Sequence, residues 1–558
     1  MMKYRTIFPL FLALSFSSTV HSALDRIIDF ALLDEVGVFH QLSRYQHKNA
    51  VALMSFYQSC QSMPSMLAEY ADIASEFSSQ GVEFFLIDTE GLGRETLASL
   101  SLNVPILEDS GQLVSESLGF ENSGEVLLIN PERQSVYFRG PVSANLRTSL
   151  NSLDSIQDTL ELQPGGCKIE YPDKVAHELN TPDYATDVAP IIIENCVACH
   201  NQGGVGPFAF DSYVMVLGWS PMIREVLLNK RMPPMQVDPD IGHSDNARYL
   251  PTEQLQTLVH WIDAGAPRGL STLDPLERFE LTDDGPWVLG EPDYIVSAKS
   301  NDVPPTGVLD YIYDRVDLPF EEDKWLRAVE YKAGDSSVLH HLVTFVTAPD
   351  EDFWGEERDE VYAERRFVES YSPGKGNAKV FEKGTGIFVP KGSSLSMQFH
   401  YVTNGRRTTD SSRIGLYFSE EQNLRERLVQ VVSSRFVLPP NEPNFELQAD
   451  FVFESRVVLT GVRAKMNYRG KRMKFSIEEA DGIIKDIFSI PAYNYGWQPH
   501  YKLNEPLILE AGTKVHVRGA LDNSISNPTN PDPEKEVTFG LNSWDEMFTG
   551  YFTFSETR

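Results

Sequence analysis

The feature that most constrains this chain is the run Cys196-Val-Ala-Cys199-His200, called the CxxCH run below. Two cysteines separated by two residues and followed directly by histidine form the pattern for covalent attachment of c-type haem. The spacing has a chemical cause, because the two thiols must reach two vinyl groups of one porphyrin while the adjacent imidazole approaches the iron. No other CxxC or CxxH pair exists among the 4 cysteines, which makes a zinc site a poor alternative. The run therefore predicts bound haem c and an electron-handling protein.

The residues around the CxxCH run offer a sixth haem ligand. Thr181–Asn195 predicts a helix leading into the run, and Leu255–Gly265 predicts an amphipathic helix beyond it. Met232 and Met235 lie between them on a proline-rich stretch, and Met opposite His is a common axial pair. We expect Met232 to be the ligand, with Met235 as its competitor, unless both methionines only fill the core. Residues 165–275 resemble the small helical cytochrome c-like domain of large bacterial periplasmic proteins.

The amino-terminal residues predict export. A basic start, Met1–Arg5, precedes the largely apolar stretch Thr6–Val20, and the small residue Ser22 suits a cleavage site. We therefore expect a signal peptide over residues 1–22 and a periplasmic or secreted protein, where haem c is attached. The later sequence contains no apolar stretch long enough for a membrane helix, so we expect no membrane insertion. The net charge of −32 argues against nucleic acid as a partner.

Residues 23–160 alternate between predicted strands and helices, which indicates an α/β layer fold. The predicted elements are the strands Asn49–Tyr57, Val82–Asp88 and Glu125–Asn130 and the helix Met63–Ser78. The junction at which a strand passes through Cys60 into a helix resembles thioredoxin-like redoxin domains. The resemblance implies a redox domain at the start of the mature chain.

Cys60 is the candidate functional residue of this domain. A thiol at a helix N-terminus has a lowered pKa, which favours the reactive thiolate. Met63 stands where a dithiol site would carry its second cysteine, so we do not expect dithiol exchange by this site alone. Two interpretations remain: a structural disulfide with Cys167, which an oxidising compartment permits, or a peroxidatic or thiol-redox Cys60.

The carboxyl-terminal half, residues 285–558, is strand-rich and punctuated by Pro and Gly, which predicts an all-β region. His340 and His341 lie inside an apolar strand, and His400 lies at the end of a second strand. Three imidazoles suit copper. Neighbouring residues of a regular strand face opposite sides, so His340 and His341 can share a metal only where their strand is distorted or ends. Otherwise one of them is a core histidine.

Several motifs of this half resemble the copper type II ascorbate-dependent monooxygenases, which include peptidylglycine α-hydroxylating monooxygenase. The motifs are His340-His341, Gln398-Phe-His400-Tyr, Asp522-Asn-Ser and Trp544-Asp-Glu-Met547. The resemblance implies two tandem jelly-roll-like β-sandwiches, over residues 285–418 and 419–558. The whole chain is then a multidomain α/β + α + β protein.

The resemblance also implies two copper sites. The electron-transfer copper would be held by His340, His341 and His400, which we call the three-His cluster. The oxygen-binding copper would be held by Met547 and two histidines shortly before Arg469.

The second copper site departs from the family pattern, because Lys465 and Asn467 stand where its histidines are expected. A lysine ammonium repels a cation, and an amide is a weak neutral donor. His500 and His516 are possible substitutes, but they lie away from the family positions. Met547 alone cannot hold Cu(II).

These patterns support two functions. The first is an exported oxidoreductase, monooxygenase-like, in which haem passes electrons to copper and an unidentified small molecule or peptide is the substrate. Met547 and Cys60 are then the catalytic candidates, and a periplasmic electron donor is the partner. The second is a non-catalytic periplasmic electron-transfer or copper-binding protein. Two coppers per chain favour the first function, and one copper favours the second.

Overall fold

The computed structural model of the chain describes residues 25–234, 237–244, 247, 249–279, 285–349, 351, 353, 366–374, 377–479, 481–540 and 544–557. The predicted signal peptide and Met235 lie outside these residues. Along the chain, the described residues form an α/β domain, a helical segment and a large mostly-β region.

The first domain is built on one eight-stranded sheet with the order β2-β1-β5-β4-β3-β6-β7-β8. Its elements are β1 (Ala31–Asp34), β2 (Phe39–Gln41), β3 (Ala50–Phe56), α1 (Met63–Phe77), β4 (Val82–Asp88), α2 (Arg94–Ser99), β5 (Ile106–Glu108), α3 (Leu113–Ser117), β6 (Glu125–Asn130), β7 (Ser135–Pro141), α4 (Ala144–Leu150) and β8 (Leu160–Glu161). Strand β3 is buried along its whole length because it lies between β4 and β6, with both faces covered. The predicted α/β alternation is confirmed.

The helical segment packs against the first domain. Its elements are α5 (Pro172–Leu179), a π-helical turn (Tyr184–Val188), α6 (Ala189–Asn195), α7 (Tyr213–Leu228) and α8 (Thr252–Asp263). Trp261 of α8 is fully buried, and its ring lies 6.0 Å from that of Tyr184. One hydrophobic core contains these residues together with Leu113 and Phe120 of the first domain. The helices therefore share a core with the sheet instead of forming an isolated unit.

The mostly-β region contains several antiparallel sheets. Its strands are β9 (Tyr294–Ser297), β10 (Asn301–Val303), β11 (Ile312–Asp317), β12 (Lys324–Lys332), β13 (Leu339–Thr347), β14 (Arg366–Tyr371), β15 (Ala378–Val380), β16 (Thr385–Val389), β17 (Ser394–Tyr401), β18 (Thr408–Asp410), β19 (Arg413–Phe418), β20 (Arg425–Ser433), β21 (Val437–Leu438), β22 (Phe445–Val452), β23 (Val457–Lys465), β24 (Gly470–Glu478), β25 (Ile484–Ile490), β26 (Tyr501–Leu509), β27 (Lys514–Leu521), β28 (Val537–Thr538) and β29 (Thr549–Glu556). The prediction is confirmed in its coarser form, a large mostly-β region with several sheets.

Two hydrophobic cores lie between these sheets. In the first, Leu342 of the sheet β11-β17-β13-β14 packs in the same core as Leu326 of β12. In the second, Phe475 of the sheet β22-β27-β24-β25 packs in the same core as Val462 of β23. Strands β9–β19 form the first β unit and strands β20–β29 form the second. A parallel pairing of β16 with β20 joins strands of both units into one nine-stranded sheet. The two β units are therefore continuous in hydrogen bonding.

The segment after α7 connects the first domain to the last β unit. The Asp238 backbone N–H donates to the Ser489 carbonyl at 3.0 Å, and the Asp238 carboxylate accepts from the Arg94 guanidinium.

No helix within the described residues is long and apolar enough to cross a membrane.

Candidate functional site

The two strands that carry the three-His cluster are paired, with His341 of β13 directly opposite His400 of β17. The pairing register shifts between Leu339 and His341, which makes His340 the extra residue of a β-bulge. The bulge turns His340 toward its neighbour, and the three ring centroids lie 5.0–5.3 Å apart. Neighbouring residues of a regular strand face opposite sides, but this local distortion brings His340 and His341 together.

Two ring nitrogens of the cluster already lie at a spacing that suits shared metal ligation. His340 Nδ1 and His341 Nδ1 are 3.1 Å apart, and His400 Nδ1 is buried without a hydrogen-bond partner among the described residues. Two nitrogens that each bind one ion at about 2.0–2.1 Å lie about 3 Å apart, so this spacing suits shared ligation. As the side chains stand, no group of three or more His, Cys, Asp or Glu residues in the described part of the chain could hold a metal ion. The His341 and His400 rings are nearly parallel, at 18°, so a metal requires them to rotate.

The three imidazoles are held in the neutral form. Burial lowers the pKa of His340 to about 4, and it lowers the pKa of His341 well below its ordinary value. Burial, followed by the charges of His340 and Lys465, lowers the pKa of His400 to about 3. Neutral imidazole is the form that binds a metal. The three imidazoles are therefore in the protonation state that metal binding requires at neutral pH.

Residues from both β units close around the cluster. Tyr311, just before β11, has its ring centroid 5.2 Å from that of His400. From the second unit, Tyr495 approaches the same His400 ring edge-on at 6.0 Å, and the backbone of Gly496 hydrogen-bonds His340. No sequence motif pointed to Tyr311 or Tyr495, because neither belongs to a spacing pattern.

The segments predicted for the second copper lie together. Lys465 is buried, and its Nζ donates to Tyr311 Oη at 3.2 Å. The backbone N–H groups of Asn467 and Met547 both donate to the buried carboxylate of Glu546. Met547 is itself buried, with 2% of its surface exposed. A lysine ammonium therefore stands beside the three-His cluster, where the family pattern has an imidazole.

The two substitute histidines are engaged elsewhere. His500 hydrogen-bonds Thr553 at 2.9 Å and faces the Glu369 carboxylate at 3.4 Å. His516 contacts the carboxylates of Asp450 at 2.7 Å and Glu478 at 3.0 Å. Both nitrogens of each ring face protein partners, so neither histidine is oriented as a copper ligand.

The CxxCH run follows α6 directly, and Cys196 and Cys199 are thiols. His200 Nδ1 lies 3.2 Å from the carbonyl oxygen of Phe208. A carbonyl can only accept, so Nδ1 carries the proton and Nε2 is left with its lone pair. This tautomer and the two thiols fit the requirements of covalently attached haem.

Met232 lines a cavity that does not include the CxxCH run. It is 40% exposed and lines a cavity of about 290 Å³ together with Leu228, Lys230 and Leu255. None of the CxxCH residues lines this cavity. Met232 as the sixth ligand therefore stays a prediction.

The loop after the CxxCH run contacts the loop before the three-His cluster. Ser336 Oγ donates to the Gly203 carbonyl oxygen at 3.1 Å. Gly203 lies three residues after His200, and Ser336 lies four residues before His340. Neither residue could be identified from the sequence, because Gly and Ser occur widely and neither belongs to a motif here.

Cys60 and Cys167 form a disulfide, with their Cα atoms 5.7 Å apart. Cys60 lies before α1 and is 2% exposed. The Cys167 segment is also held by hydrogen bonds, because the Ser123 N–H donates to the Cys167 carbonyl at 2.8 Å and Ser123 Oγ accepts from the Cys167 N–H at 2.9 Å. The disulfide interpretation is confirmed, and thiol chemistry at Cys60 requires its prior reduction.

Comparisons with known proteins concern the first domain. Residues 23–138 match the model of the AhpC/TSA family. A hypothetical protein of Sinorhizobium meliloti 1021 is 20% identical over 27% of this chain and 94% of its own, with a TM-score of 0.25. Peroxidoxin BcpB from Mycobacterium tuberculosis is 22% identical over 24% of this chain and 97% of its own, with a TM-score of 0.20. No curated protein matches the chain. The family match supports a thioredoxin-like redoxin domain and an oxidoreductase type of activity.

Proposed function

We propose that the chain is an exported, monooxygenase-like oxidoreductase that holds haem c at the CxxCH run and copper at the three-His cluster. In this function, the CxxCH run would hold the electron-donating haem and the three-His cluster would hold the electron-accepting copper. The observation that carries the proposal is the hydrogen bond between Ser336 and Gly203, which joins the two loops that lead to these sites. Tethering two redox centres in one chain raises their effective concentration for each other.

The residues of the chain supply orientation and protection. Haem and copper would each supply a centre that gains or loses one electron. The Phe208 carbonyl fixes the His200 tautomer, and Gly496 and Tyr495 cover His340 and His400. His341 and His400 are buried, which limits the access of water to their imidazoles. A substrate, a small molecule or a peptide, would approach the Met547 face.

A specific observation favours the alternative of a non-catalytic electron-transfer or copper-binding protein. The ammonium of Lys465 is buried and hydrogen-bonded to Tyr311, next to the segment of Met547. A fixed positive charge there opposes a second cation. This alternative keeps haem and one copper, and it uses the second β unit only to cover the cluster.

Metal content and electron paramagnetic resonance of the haem-matured, copper-loaded full chain test the proposal. We expect one iron per chain and a copper signal with nitrogen ligands that is lost in His400→Ala. The exposed His47→Ala variant, which removes an imidazole far along the chain, is the matched control and keeps its copper.

The copper count separates the two functions. Two coppers, one of them lost in Met547→Ala, support the monooxygenase-like function, and one copper supports electron transfer alone. A His400→Ala variant that retains all copper, or a chain without covalently bound haem, contradicts the proposal.

A further inference from the structure

A large cleft lies where three parts of the chain meet. Its volume is about 840 Å³, which is within the range of small-molecule sites. One wall comes from the first domain near Phe39 and Arg44, a second from α7 and the residues that follow it, and a third from the last β unit near Tyr468 and Tyr495. None of the functions described above uses this cleft.

The lining of the cleft is basic, although the chain has a net charge of −32. The five cationic lining residues are Arg44, Arg224, Lys230, Arg231 and Lys471, and the three acidic ones are Asp29, Glu225 and Asp522. The Asp29 carboxylate already accepts from the Ser43 backbone and hydroxyl, and the Asp522 carboxylate accepts from Ser524. Arg224 pairs with Asp263 and Arg231 with Glu225, which leaves Arg44, Lys230 and Lys471 with Asp29 and Asp522. The lining therefore carries a small excess of positive charge.

Arg44 is the cation best placed for a ligand. Its guanidinium lies 4.8 Å from the centroid of the Phe39 ring, and it has no hydrogen-bond acceptor among the described residues. Burial lowers the pKa of Arg44, while the nearby charge of Asp522 opposes this effect. A partly buried guanidinium with five N–H donors and no acceptor is a site for a carboxylate, which can accept two of them at once. Lys471, on the opposite wall, adds a second positive charge.

Aromatic rings form part of the third wall. The Tyr468 and Tyr495 rings lie 4.3 Å apart, and both line the cleft. Such rings favour flat ligands, because stacked and edge-on contacts bury large apolar areas. Tyr495 also contacts His400 edge-on, so one ring separates the cleft from the three-His cluster.

The cleft is separate from the surroundings of the CxxCH run. Trp219 of α7 stacks on Phe208, beside His200, with centroids 4.1 Å apart. Pro221 and Arg224 line the cleft from another face of the same helix, since residues two and five positions apart are rotated by about 200° and 140° around its axis. Neither Phe208 nor Trp219 lines the cleft.

We infer that this cleft binds a small organic carboxylate with a planar body, the carboxylate on Arg44 and Lys471 and the plane against Tyr468 and Tyr495. This inference concerns binding alone and does not depend on metal at either proposed site. The occupant would lie against Tyr495, whose ring separates it from the three-His cluster.

Isothermal titration of the full chain with benzoate tests the inference, with benzamide as the neutral probe of the same shape. We expect benzoate to bind, and benzamide to bind at least about tenfold more weakly, because it lacks the charge that pairs with the guanidinium. Arg44→Gln should weaken benzoate binding by about tenfold or more, and Arg44→Lys should weaken it less, since the charge remains. The exposed Arg413→Gln variant is the control and should bind like the unchanged chain.

Thermal melting of each variant shows whether it is folded, and Lys471→Gln provides an independent second variant. Absence of benzoate binding, equal binding of benzamide, or unchanged affinity in both folded Arg44→Gln and Lys471→Gln overturns the inference. A failure of benzoate binding with copper still held by the three-His cluster would leave the proposed function intact.

Discussion

Single nitrogen atoms decide what the three-His cluster can bind. His400 Nδ1 has no hydrogen-bond partner among the described residues, and the Nδ1 atoms of His340 and His341 are 3.1 Å apart. A buried ring nitrogen without a partner is costly unless a ligand satisfies it. Lys465 is the last residue of β23. Its Nζ, in contrast to His400 Nδ1, already has a hydrogen-bond partner, Tyr311 Oη. The unsatisfied His400 nitrogen therefore favours a metal at the three-His cluster, whereas the Lys465 ammonium opposes a cation at either site.

Asp109 offers a pH-dependent prediction that is independent of metals. Its carboxylate accepts from the Ser115 backbone and hydroxyl, each at 2.7 Å, and burial raises its pKa from 3.8 to about 6. Between these two pH values, folded Asp109 keeps a proton that it releases in the unfolded chain. Protonated Asp109 therefore contributes stability that is fully present below pH 3.8 and is lost as the pH rises through about 6. We expect Asp109→Asn to remove up to about 3 kcal/mol of this pH dependence.

Urea unfolding of the full chain from about pH 4 to about pH 7 measures this dependence. The exposed Asp158→Asn variant should keep the slope of the unchanged chain. Parallel slopes for Asp109→Asn and the unchanged chain would show that Asp109 titrates normally.

At the scale of elements, Glu546 holds the turn after β23 against the start of β29. Its carboxylate accepts backbone N–H groups from Asn467, Arg469 and Met547, and it is fully buried. These three donors would lose their acceptor in Glu546→Ala. Each unsatisfied buried donor costs about 1–3 kcal/mol, so we expect a loss of about 3 kcal/mol or more in unfolding free energy.

Denaturant unfolding with two comparison variants checks this role. Glu546→Gln keeps one acceptor oxygen and should recover part of the loss, whereas exposed Glu505→Ala should have little effect. Equal stability of Glu546→Ala and Glu505→Ala would mean that the turn does not depend on the carboxylate.

The elements also show what a sequence can predict. β4 and β6 have the bounds expected from their apolar runs, because continuous burial leaves the same pattern in any α/β sheet. The bulge at His340 was not predictable, since it depends on the register with β17, more than fifty residues later. The predicted helix Thr181–Asn195 is instead a π-helical turn followed by α6, and Pro190 lies in the first turn of α6.

At the scale of the whole molecule, its parts are joined by shared cores, a continuous sheet and a covalent bond. The first domain and the helices have one core, and the two β units share a nine-stranded sheet. The disulfide from Cys60 to Cys167 ties the redoxin domain to the chain that enters the helical segment. Because no single motif determines these contacts, the sequence predicted the units but not the contact of Ser336 with Gly203.

The most direct test of the proposed function is to measure electron transfer from haem at the CxxCH run to copper at the three-His cluster. The full chain, matured with haem and loaded with Cu(II), is reduced at haem under anaerobic conditions, and haem absorbance and the Cu(II) resonance are followed together. If the proposed function is right, haem is oxidised at the same rate as Cu(II) is reduced. In His400→Ala, haem stays reduced. Haem that stays reduced in the unchanged, copper-loaded chain, or that is oxidised equally fast in His400→Ala, would contradict the account.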